Sequence, residues 1–525
     1  MFRTAELGRT VSKEDFEAVA DALRIDMVDL QQQLRTCDFP VVILFAGVDG
    51  AGKSETMNLL NEWMDPRWIV TRAYTEPSEE ERERPLFWRY WRDLPPRGKI
   101  GLFLSAWYSQ PLLDRAWNRI GDAQFDERLN RIATFEKELA DDGALILKFW
   151  MHLGKKEQKK RLKTLEKDPH ESWRVTERDW KHWEMYDDFI TASERLIVQT
   201  SMGHAPWQIV EGLDPRYRSL TVLTAIRDAA RRHMDAQKMR KRLVTTLDSK
   251  QKKQHPAATA AATAAETAVP EAVAAGTDPV GTAILSRMPS ILSSLDMTRS
   301  YDKKGYAEQL QIQRARLNGL QRRARAEGVS SILVFEGWDA AGKGGAIRRM
   351  TAGLDARDYQ VIPVAAPTDE ERAHHYLWRF WRHLSRAGRV TIYDRSWYGR
   401  VLVERVEGFA TQEEWKRAYS EIRDFEEQLI EHGSVLVKYW FHITKEEQHE
   451  RFKQREQIAY KRWKLTDEDW RNREKWDAYE TAVNEMIERT STHTAPWTLV
   501  EANDKRHARV KAMETFCDAL EKRLG

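Results

Sequence analysis

The sequence predicts an α/β fold that occurs twice in the chain, each copy with a parallel sheet between two layers of helices. Short apolar strands alternate with helical segments in both halves, a pattern typical of parallel sheets that are covered on both faces. Matched motifs also recur at a constant spacing, because Gly337 lies 290 positions after Gly47 and Trp497 lies 290 positions after Trp207. That period is too long for a solenoid, so each copy is predicted to be a whole domain.

A glycine-rich loop opens the second copy. The apolar run Ile332–Phe335 predicts a buried strand, and the motif Gly337-x-x-x-x-Gly342-Lys343 leads from it into a predicted helix. In such a P-loop the glycines let backbone N–H groups surround a phosphate, and the lysine reaches its oxygens. The motif therefore predicts a P-loop kinase-like, three-layer sandwich. The residues it assigns to phosphate binding are Gly337, Ala341, Gly342, Lys343 and Gly344.

The two loops differ at the position after the lysine. In the first copy the complete motif, GVDGAGKS, spans Gly47–Ser54. In the second copy Gly344 stands where the template has the serine or threonine whose hydroxyl binds Mg²⁺. Asp339, inside the loop, is the candidate for the missing oxygen ligand.

Both copies are predicted to have the same succession of elements. Each copy begins with a helix, which is followed by the strand that leads into the loop. After the loop come a second strand, a Trp- and Arg-rich helix, two more strands, a long charged helical region and a closing strand. In the first copy these segments, without the charged region, are Lys13–Leu34, Val41–Phe45, Trp68–Ala73, Phe87–Leu94, Gly101–Tyr108, Ala144–Leu153 and Ala205–Gly212. In the second copy they are Lys304–Arg325, Ile332–Phe335, Gln360–Ala365, Leu377–Leu384, Val390–Tyr398, Val435–Ile443 and Ala495–Asn503.

Composition limits the classes of function. With 85 Lys and Arg against 82 Asp and Glu, the net charge of +3 predicts no nucleic-acid partner from bulk charge. The chain has neither an apolar N-terminal signal nor a run of about 18 apolar residues, so no membrane contact and a cytoplasmic location are expected. Cys37 and Cys517 have no metal-type spacing, which predicts a reducing compartment and no structural zinc.

An Ala-, Thr- and Pro-rich stretch separates the copies. Residues 256–281 contain almost no large apolar side chains and cannot bury enough surface to fold. We therefore predict domains at 1–247 and 291–525, joined by a flexible linker at 248–290. The basic run Lys238–Arg242 before it is interpreted as a solvated helix end and not as a nucleic-acid patch.

The copies differ where phosphoryl transfer needs charge. This chemistry requires a phosphate cradle, a metal ligand and cations that cover the transferring group. In the second copy the third strand leads into Asp394 and Arg395, and Arg400 and Glu404 follow. A carboxylate at a strand end beside a P-loop is where a Mg²⁺ ligand sits, and arginines match phosphate oxygens. The positions equivalent to Asp394, Arg395 and Arg400 in the first copy are Leu104, Ser105 and Gln110.

Further differences follow along the chain. Glu171 and Ser172 of the first copy stand where the second copy has Lys461 and Arg462. Because charge is lost at several separate motifs, the first copy is predicted to be degenerate and without turnover. Its retained Lys53 leaves phosphate binding there open.

The charged segment Lys445–Arg473 has two interpretations. One is a solvated helical hairpin, for which runs of charge are ordinary. The other is a lid, about 445–473, that closes over the phosphates and excludes water, as in many kinases. The basic cluster Lys461, Arg462 and Lys464 favours the lid and adds these residues to the predicted phosphate-binding set.

These motifs in order resemble the polyphosphate kinase 2 family, soluble P-loop kinases that move phosphoryl groups between inorganic polyphosphate and nucleotides. The resemblance rests on GWDAAGKGG, IYDRSWYGRVLVERV, KYWFHI, KRWKL and APWTLVEANDKRHAR and extends to both copies. Two fused copies, one degenerate, resemble the family's two-domain members, which phosphorylate AMP to ADP.

The resemblance implies roles for seven catalytic residues. Two carboxylates hold Mg²⁺, a lysine binds polyphosphate, two arginines bridge donor and acceptor phosphates, a glutamate assists near the acceptor, and an arginine comes from the lid. In that order they are Asp339 and Asp394, Lys343, Arg395 and Arg400, Glu404, and Arg462. His442, on an apolar strand, is predicted to be a satisfied core residue and not a catalytic one.

The predicted reaction is Mg²⁺-dependent transfer from polyphosphate to AMP, with polyphosphate and AMP or ADP as partners. Three alternatives remain at this point: ADP or GDP as acceptor, ATP as donor, or a phosphate-chain-binding protein without turnover. The intact Asp394, Arg395 and Arg400 argue against the last. The sequence leaves the oligomeric state open, since a homo-oligomer and a pseudo-dimer of the two copies are both compatible with it.

Overall fold

A computed structural model describes residues 1–254, 290–458 and 467–525. The Ala-, Thr- and Pro-rich stretch and the lid residues Lys461, Arg462 and Lys464 lie outside the described residues. The chain forms two compact units, one of Met1–Glu76 with Asp93–Leu285 and one of Pro77–Arg92 with Ser286–Gly525. No helix in the described parts of the chain is both long and apolar enough to cross a membrane.

Each unit contains one five-stranded sheet in which every neighbouring pair is parallel. The order is β2-β3-β1-β4-β5 in the first unit and β7-β8-β6-β9-β10 in the second, so the two topologies are the same. The predicted α/β duplication is confirmed. The strands are β1 Val41–Gly47, β2 Ile69–Ala73, β3 Ile100–Leu104, β4 Leu145–His152, β5 Trp207–Glu211, β6 Ser331–Gly337, β7 Tyr359–Pro363, β8 Val390–Asp394, β9 Val435–His442 and β10 Trp497–Glu501.

Helices flank the strands, and the two helices predicted at Lys13–Leu34 and Lys304–Arg325 extend over Lys13–Leu34 and Lys303–Ala326. Those at residues 1–254 are Lys13–Leu34, Lys53–Trp63, Glu79–Arg82, Trp88–Asp93, Ser109–Ala116, Asp122–Asp141, Lys155–Lys167, Glu177–Glu184, Tyr186–Thr200 and Pro215–Gln254. Those at 290–525 are Lys303–Ala326, Lys343–Thr351, Asp369–Arg372, Trp378–Arg382, Val403–Val406, Gln412–Glu431, Lys445–Gln457, Asp467–Glu474, Trp476–Thr490 and Lys505–Leu524.

The central strands β6 and β9 explain the position of the P-loop. Nearly every residue of both is buried, which fits their almost uninterrupted apolar runs. In the sheet register Phe335 pairs with Asp394 and Gly337 pairs with Phe441. The loop after β6 and the residues after β8 therefore start at the same edge of the sheet, where ligands bind in open α/β folds.

A buried ion pair is repeated in both units. Lys438 Nζ lies 2.8 Å from Glu426 Oε2, and Lys148 Nζ lies 2.7 Å from Glu136 Oε2, with all four side chains at most 2% exposed. Each lysine also donates to a tyrosine hydroxyl and to a threonine carbonyl in the same unit. Because the first unit keeps this network although Leu104 and Ser105 stand at the positions of Asp394 and Arg395, the network belongs to the fold that the two units share.

Two side chains of the second unit have defined packing partners. His442 is 8% exposed and its Nδ1 accepts a hydrogen bond from Trp338 Nε1 at 3.2 Å, as expected of a core residue. In the second unit Arg382 lies over the Trp378 ring, 4.4 Å from its centroid, and is ion-paired with Glu370. This arginine thus packs on its own helix.

Candidate active site

The P-loop of the second unit requires its glycines. Gly337 has φ of 146°, and a Cβ there would stand 2.5 Å from the Phe441 carbonyl oxygen. Gly342, with φ of 112°, begins the helix Lys343–Thr351 in the left-handed region. The first N–H groups of a helix have no intrahelical acceptor, and the positive end of the helix dipole lies there, so this end favours an anion.

Lys343 is folded over the loop. Its Nζ donates to the carbonyl oxygens of Gly337 at 2.6 Å and Trp338 at 3.2 Å. Burial lowers the pKa of Lys343, while the carboxylates of Asp339, Asp394 and others act in the opposite direction. The lysine charge is therefore placed among the acidic groups of the site.

Asp339 connects three segments of the site. Its carboxylate accepts hydrogen bonds from Arg395 Nη2 and from Asn472 Nδ2, each at 3.0 Å. Burial would raise the pKa of Asp339, but the charges of Lys343 and Arg395 outweigh it and hold the pKa below its usual value. Asp339 is thus an anion that ties the loop to the turn after β8 and to the helix Asp467–Glu474.

Asp394 ends β8 beside the loop. A Cβ on Gly344 would stand 4.0 Å from Asp394 Oδ2, so the space of the missing P-loop hydroxyl faces this carboxylate. Within the described residues Asp394 has no side-chain hydrogen bond or ion pair, which leaves its oxygens available to a cation. No group of three or more His, Cys, Asp or Glu in those residues is arranged to hold a metal.

The two predicted arginines stand on one turn. Arg395 has φ of 65°, and its backbone N–H donates to the Phe335 carbonyl at 3.0 Å. Arg400 pairs with Glu404, with 3.2 Å between Nη1 and Oε2, and its Cζ lies 4.5 Å from the centroid of the Tyr376 ring. Each guanidinium is thus held by one acidic partner, Arg395 by Asp339 and Arg400 by Glu404.

A cavity of about 70 Å³ lies between these elements in the second unit. Charged groups from the loop and the turn line one part of it, and aromatic and aliphatic side chains line the rest. Its lining includes Glu336, Asp339, Arg395, Leu402, Trp440, Asn472 and Tyr479.

Three further residues at the site were not predicted from the sequence. Asn472 holds Asp339, and Glu336 is a buried carboxylate directly before the loop. Arg451, 3% exposed, donates to the loop carbonyls of Ala340 and Ala341 at 2.9 and 3.0 Å and to two carbonyls after β10. An acid in an apolar strand was the available signal for Glu336; no sequence signal distinguished Arg451 from its charged neighbours.

The first unit arranges its loop differently. Asp49 accepts from Lys53 at 3.3 Å and lies 2.8 Å from His182 Nδ1. The carboxylate of Glu55, in the first turn after the loop, binds three guanidinium groups at 2.6 to 3.0 Å, where the second unit has Gly345. The three donors are Arg161, Arg174 and Arg218. Here the charges around the loop are satisfied by the chain itself.

The family model for polyphosphate kinase 2 matches residues 10–239 and again residues 300–524. The chain belongs to the polyphosphate kinase 2 family. The chain is 49% identical over 528 residues to the polyphosphate:AMP phosphotransferase of Pseudomonas aeruginosa, covering 99% of each chain. It is 34% identical to the polyphosphate:AMP phosphotransferase of Acinetobacter johnsonii, covering 96% of this chain and 98% of that one.

Solved structures agree with the fold. A crystal structure of a polyphosphate kinase 2 from P. aeruginosa superimposes with a TM-score of 0.83 at 46% sequence identity, covering 100% of this chain and 99% of that one.

The ADP-polyphosphate phosphotransferase 2 of Rhizobium meliloti, by contrast, is 45% identical over 183 residues, 35% of this chain and 60% of that protein. The similarity to the proteins named polyphosphate:AMP phosphotransferase thus covers both units of this chain.

Proposed function

We propose that this polyphosphate kinase 2 transfers the terminal phosphoryl group of inorganic polyphosphate to AMP, giving ADP and a chain one phosphate shorter. The observation that carries the proposal is the end-to-end similarity, at 49% identity, to a protein named polyphosphate:AMP phosphotransferase. The relative named for ADP matches 35% of the chain, so an ADP acceptor has less support. Turnover is assigned to the domain 291–525, and the domain 1–247 is assigned a non-catalytic role.

The proposed step is a direct, in-line displacement. An oxygen of the AMP phosphate attacks the terminal phosphorus of polyphosphate, the bond to the bridging oxygen breaks, and the shortened chain leaves with the electron pair. The AMP phosphate is ionised at neutral pH, so neither a general base nor a protein nucleophile is needed. Catalysis then consists of positioning and of stabilising negative charge.

The cations of the second unit supply that stabilisation. Lys343 and the N–H groups of the loop bind the end of the polyphosphate chain, and Arg395 and Arg400 lie across the donor and acceptor phosphates. Their acidic partners, Asp339 and Glu404, hold the guanidinium groups in place before substrate arrives. Such preorganisation lowers the barrier because little reorientation is left for the transition state.

The acidic groups fit a Mg²⁺ ion, which supplies charge neutralisation on the phosphate oxygens when bound. Mg²⁺ typically takes one or two carboxylates, with water and substrate oxygens completing its coordination. Asp394 suits this role because its oxygens have no partner within the described residues. Asp339 is the second proposed ligand, because each of its oxygens accepts one hydrogen bond, from Arg395 or from Asn472, and an ionised carboxylate has lone pairs left for a cation beside them.

A lid completes the proposed site. The helices Lys445–Gln457 and Asp467–Glu474 flank residues 459–466, and Arg451 and Asn472 anchor these helices to the P-loop. Lys461, Arg462 and Lys464 are proposed to cover the phosphates when the lid closes. The reaction is proposed to take place in the cytoplasm, which the two free cysteines support.

The first test is nucleotide chromatography after incubation of the pure protein with Mg²⁺, AMP and long-chain polyphosphate, without ATP. ADP formation supports the proposal. Unchanged AMP refutes it, and parallel reactions with ADP as acceptor or ATP as donor then identify the substrate pair. Polyphosphate without nucleotide is the control for simple hydrolysis.

A further inference from the structure

A buried carboxylate lies directly under the P-loop of the second unit and is not among the seven catalytic residues. Glu336 is the penultimate residue of β6 and is 5% exposed. Its Oε1 accepts a hydrogen bond from Ser396 Oγ at 2.8 Å. Burying a carboxylate in an apolar strand is costly unless it is paired, so packing alone gives no reason for an acid here.

Ser396 links Glu336 to the turn that contains Arg395 and Arg400. While its hydroxyl donates to Glu336, its oxygen accepts from the backbone N–H of Tyr398 at 3.3 Å and caps the short 3-10 helix Trp397–Arg400. Ser396 directly follows Arg395, whose own N–H is bonded to Phe335. Two adjacent residues of β6 therefore hold the turn, one through its carbonyl and one through its side chain.

The first unit provides an internal comparison. Ala46 and Ala106 stand at the positions of Glu336 and Ser396, so both members of the pair are absent there. The turn itself persists, since Ser105 has φ of 53°, close to the 65° of Arg395. The backbone thus adopts this turn without the pair, and the pair accompanies the arginines and not the fold.

We propose that Glu336 and Ser396 form a positioning pair that fixes the direction of the Arg395 guanidinium toward the transferring phosphoryl group. Glu336 touches no reacting atom in this scheme and acts through Ser396 and Arg395. The inference rests on the proposed phosphotransfer but not on the identity of the acceptor, so it is measured with whichever nucleotide the unmodified protein phosphorylates. If the unmodified protein has no turnover, the proposed function fails before the pair is tested.

The test compares steady-state kinetics of Glu336→Ala, Glu336→Gln and Ser396→Ala. Loss of orientation in the transition state should lower kcat by about ten- to a hundredfold and change KM by less than about threefold. Gln retains an oxygen that accepts from Ser396, so kcat of Glu336→Gln should stay within about threefold of the unmodified value. A Gln variant as slow as the Ala variant overturns the proposal, because the charge and not the hydrogen bond would then matter.

Two double variants separate positioning from general destabilisation. If the two residues act together, the double variant Glu336→Ala/Ser396→Ala should have a kcat within about threefold of that of the slower single variant. If they act through Arg395, Glu336→Ala in an Arg395→Ala background leaves kcat unchanged within about threefold. If the second substitution in either double variant lowers kcat again by as much as it does alone, the two residues act independently and the proposed pair is contradicted. Glu62→Ala, an exposed acid on the helix Lys53–Trp63 of the first unit, is the matched control and should leave kcat unchanged.

Discussion

Arg218 and Glu55 form a mostly buried ion pair at the P-loop of the first unit. Arg218 Nη2 lies 2.6 Å from Glu55 Oε2, and the arginine side chain is 3% exposed. Its guanidinium also lies where a Cβ on Gly52 would stand, at 2.0 Å from Nη1. With Arg161 and Arg174 on the same carboxylate, Glu55 is paired with three guanidinium groups at the position where the second unit has Gly345.

Glu55→Gln should destabilise the first unit. The change leaves the buried Arg218 without its counter-charge, which costs about 2 kcal/mol in the free energy of unfolding. Urea unfolding followed by tryptophan fluorescence measures it, with Glu62→Gln, on the same helix, as the matched control. An unchanged unfolding midpoint would show that the cluster contributes nothing to stability.

Asp394→Asn should reduce kcat by at least about a hundredfold while the melting temperature changes little. The substitution removes the partly exposed carboxylate that is best placed for Mg²⁺ and keeps the side-chain shape. Lys53→Ala should retain most activity, because the first unit has Leu104 where this acid stands. Equal loss of activity in the two variants would refute the division of roles between the units.

Removal of divalent metal should abolish turnover without unfolding the protein. Asp394 is partly accessible and the described residues contain no closed metal cage, so the ion is expected to exchange freely. Activity after EDTA treatment, followed by addition of MgCl₂, measures the requirement, and circular dichroism serves as the control. Full activity in EDTA would rule out the proposed metal.

Lys438→Met should lower stability by about 3 to 5 kcal/mol because it leaves Glu426 buried without its partner. Lys148→Met should have a similar effect on the first unit, since Glu136 is in the same position there. Chemical denaturation of both variants measures the two losses. A large effect in only one unit would contradict a shared structural role.

Protonation of His442 is expected to contribute to the loss of folding stability at low pH. Burial lowers the pKa of His442 to about 4, against about 6.5 in an unfolded chain. Between these values the unfolded state binds more protons, so stability falls as the pH drops from about 6.5 through 4. Between pH 7 and pH 4.5 the free energy of unfolding of His442→Gln should fall by about 2 to 3 kcal/mol less than that of the unmodified protein. Chemical denaturation at the two pH values measures this difference. Equal losses would place the acid sensitivity elsewhere.

The fold was largely predictable from local patterns. Apolar runs such as Val435–Ile443 identified the strands, because a strand buried on both faces needs apolar side chains along its whole length. The constant spacing between the copies identified the duplication. The same alignment showed that Leu104 and Ser105 replace an acid and an arginine, so the difference between the copies was also predictable.

The contacts within the site were decided by the tertiary structure. Asn472 reaches Asp339 across 133 positions, and Ser396 reaches Glu336 across 60. The assignment of Pro77–Arg92 to the second compact unit also had no counterpart in the sequence pattern. Periodicity and motifs report on neighbours in sequence, whereas these pairings depend on strand order and register, which bring distant residues to one edge of a sheet.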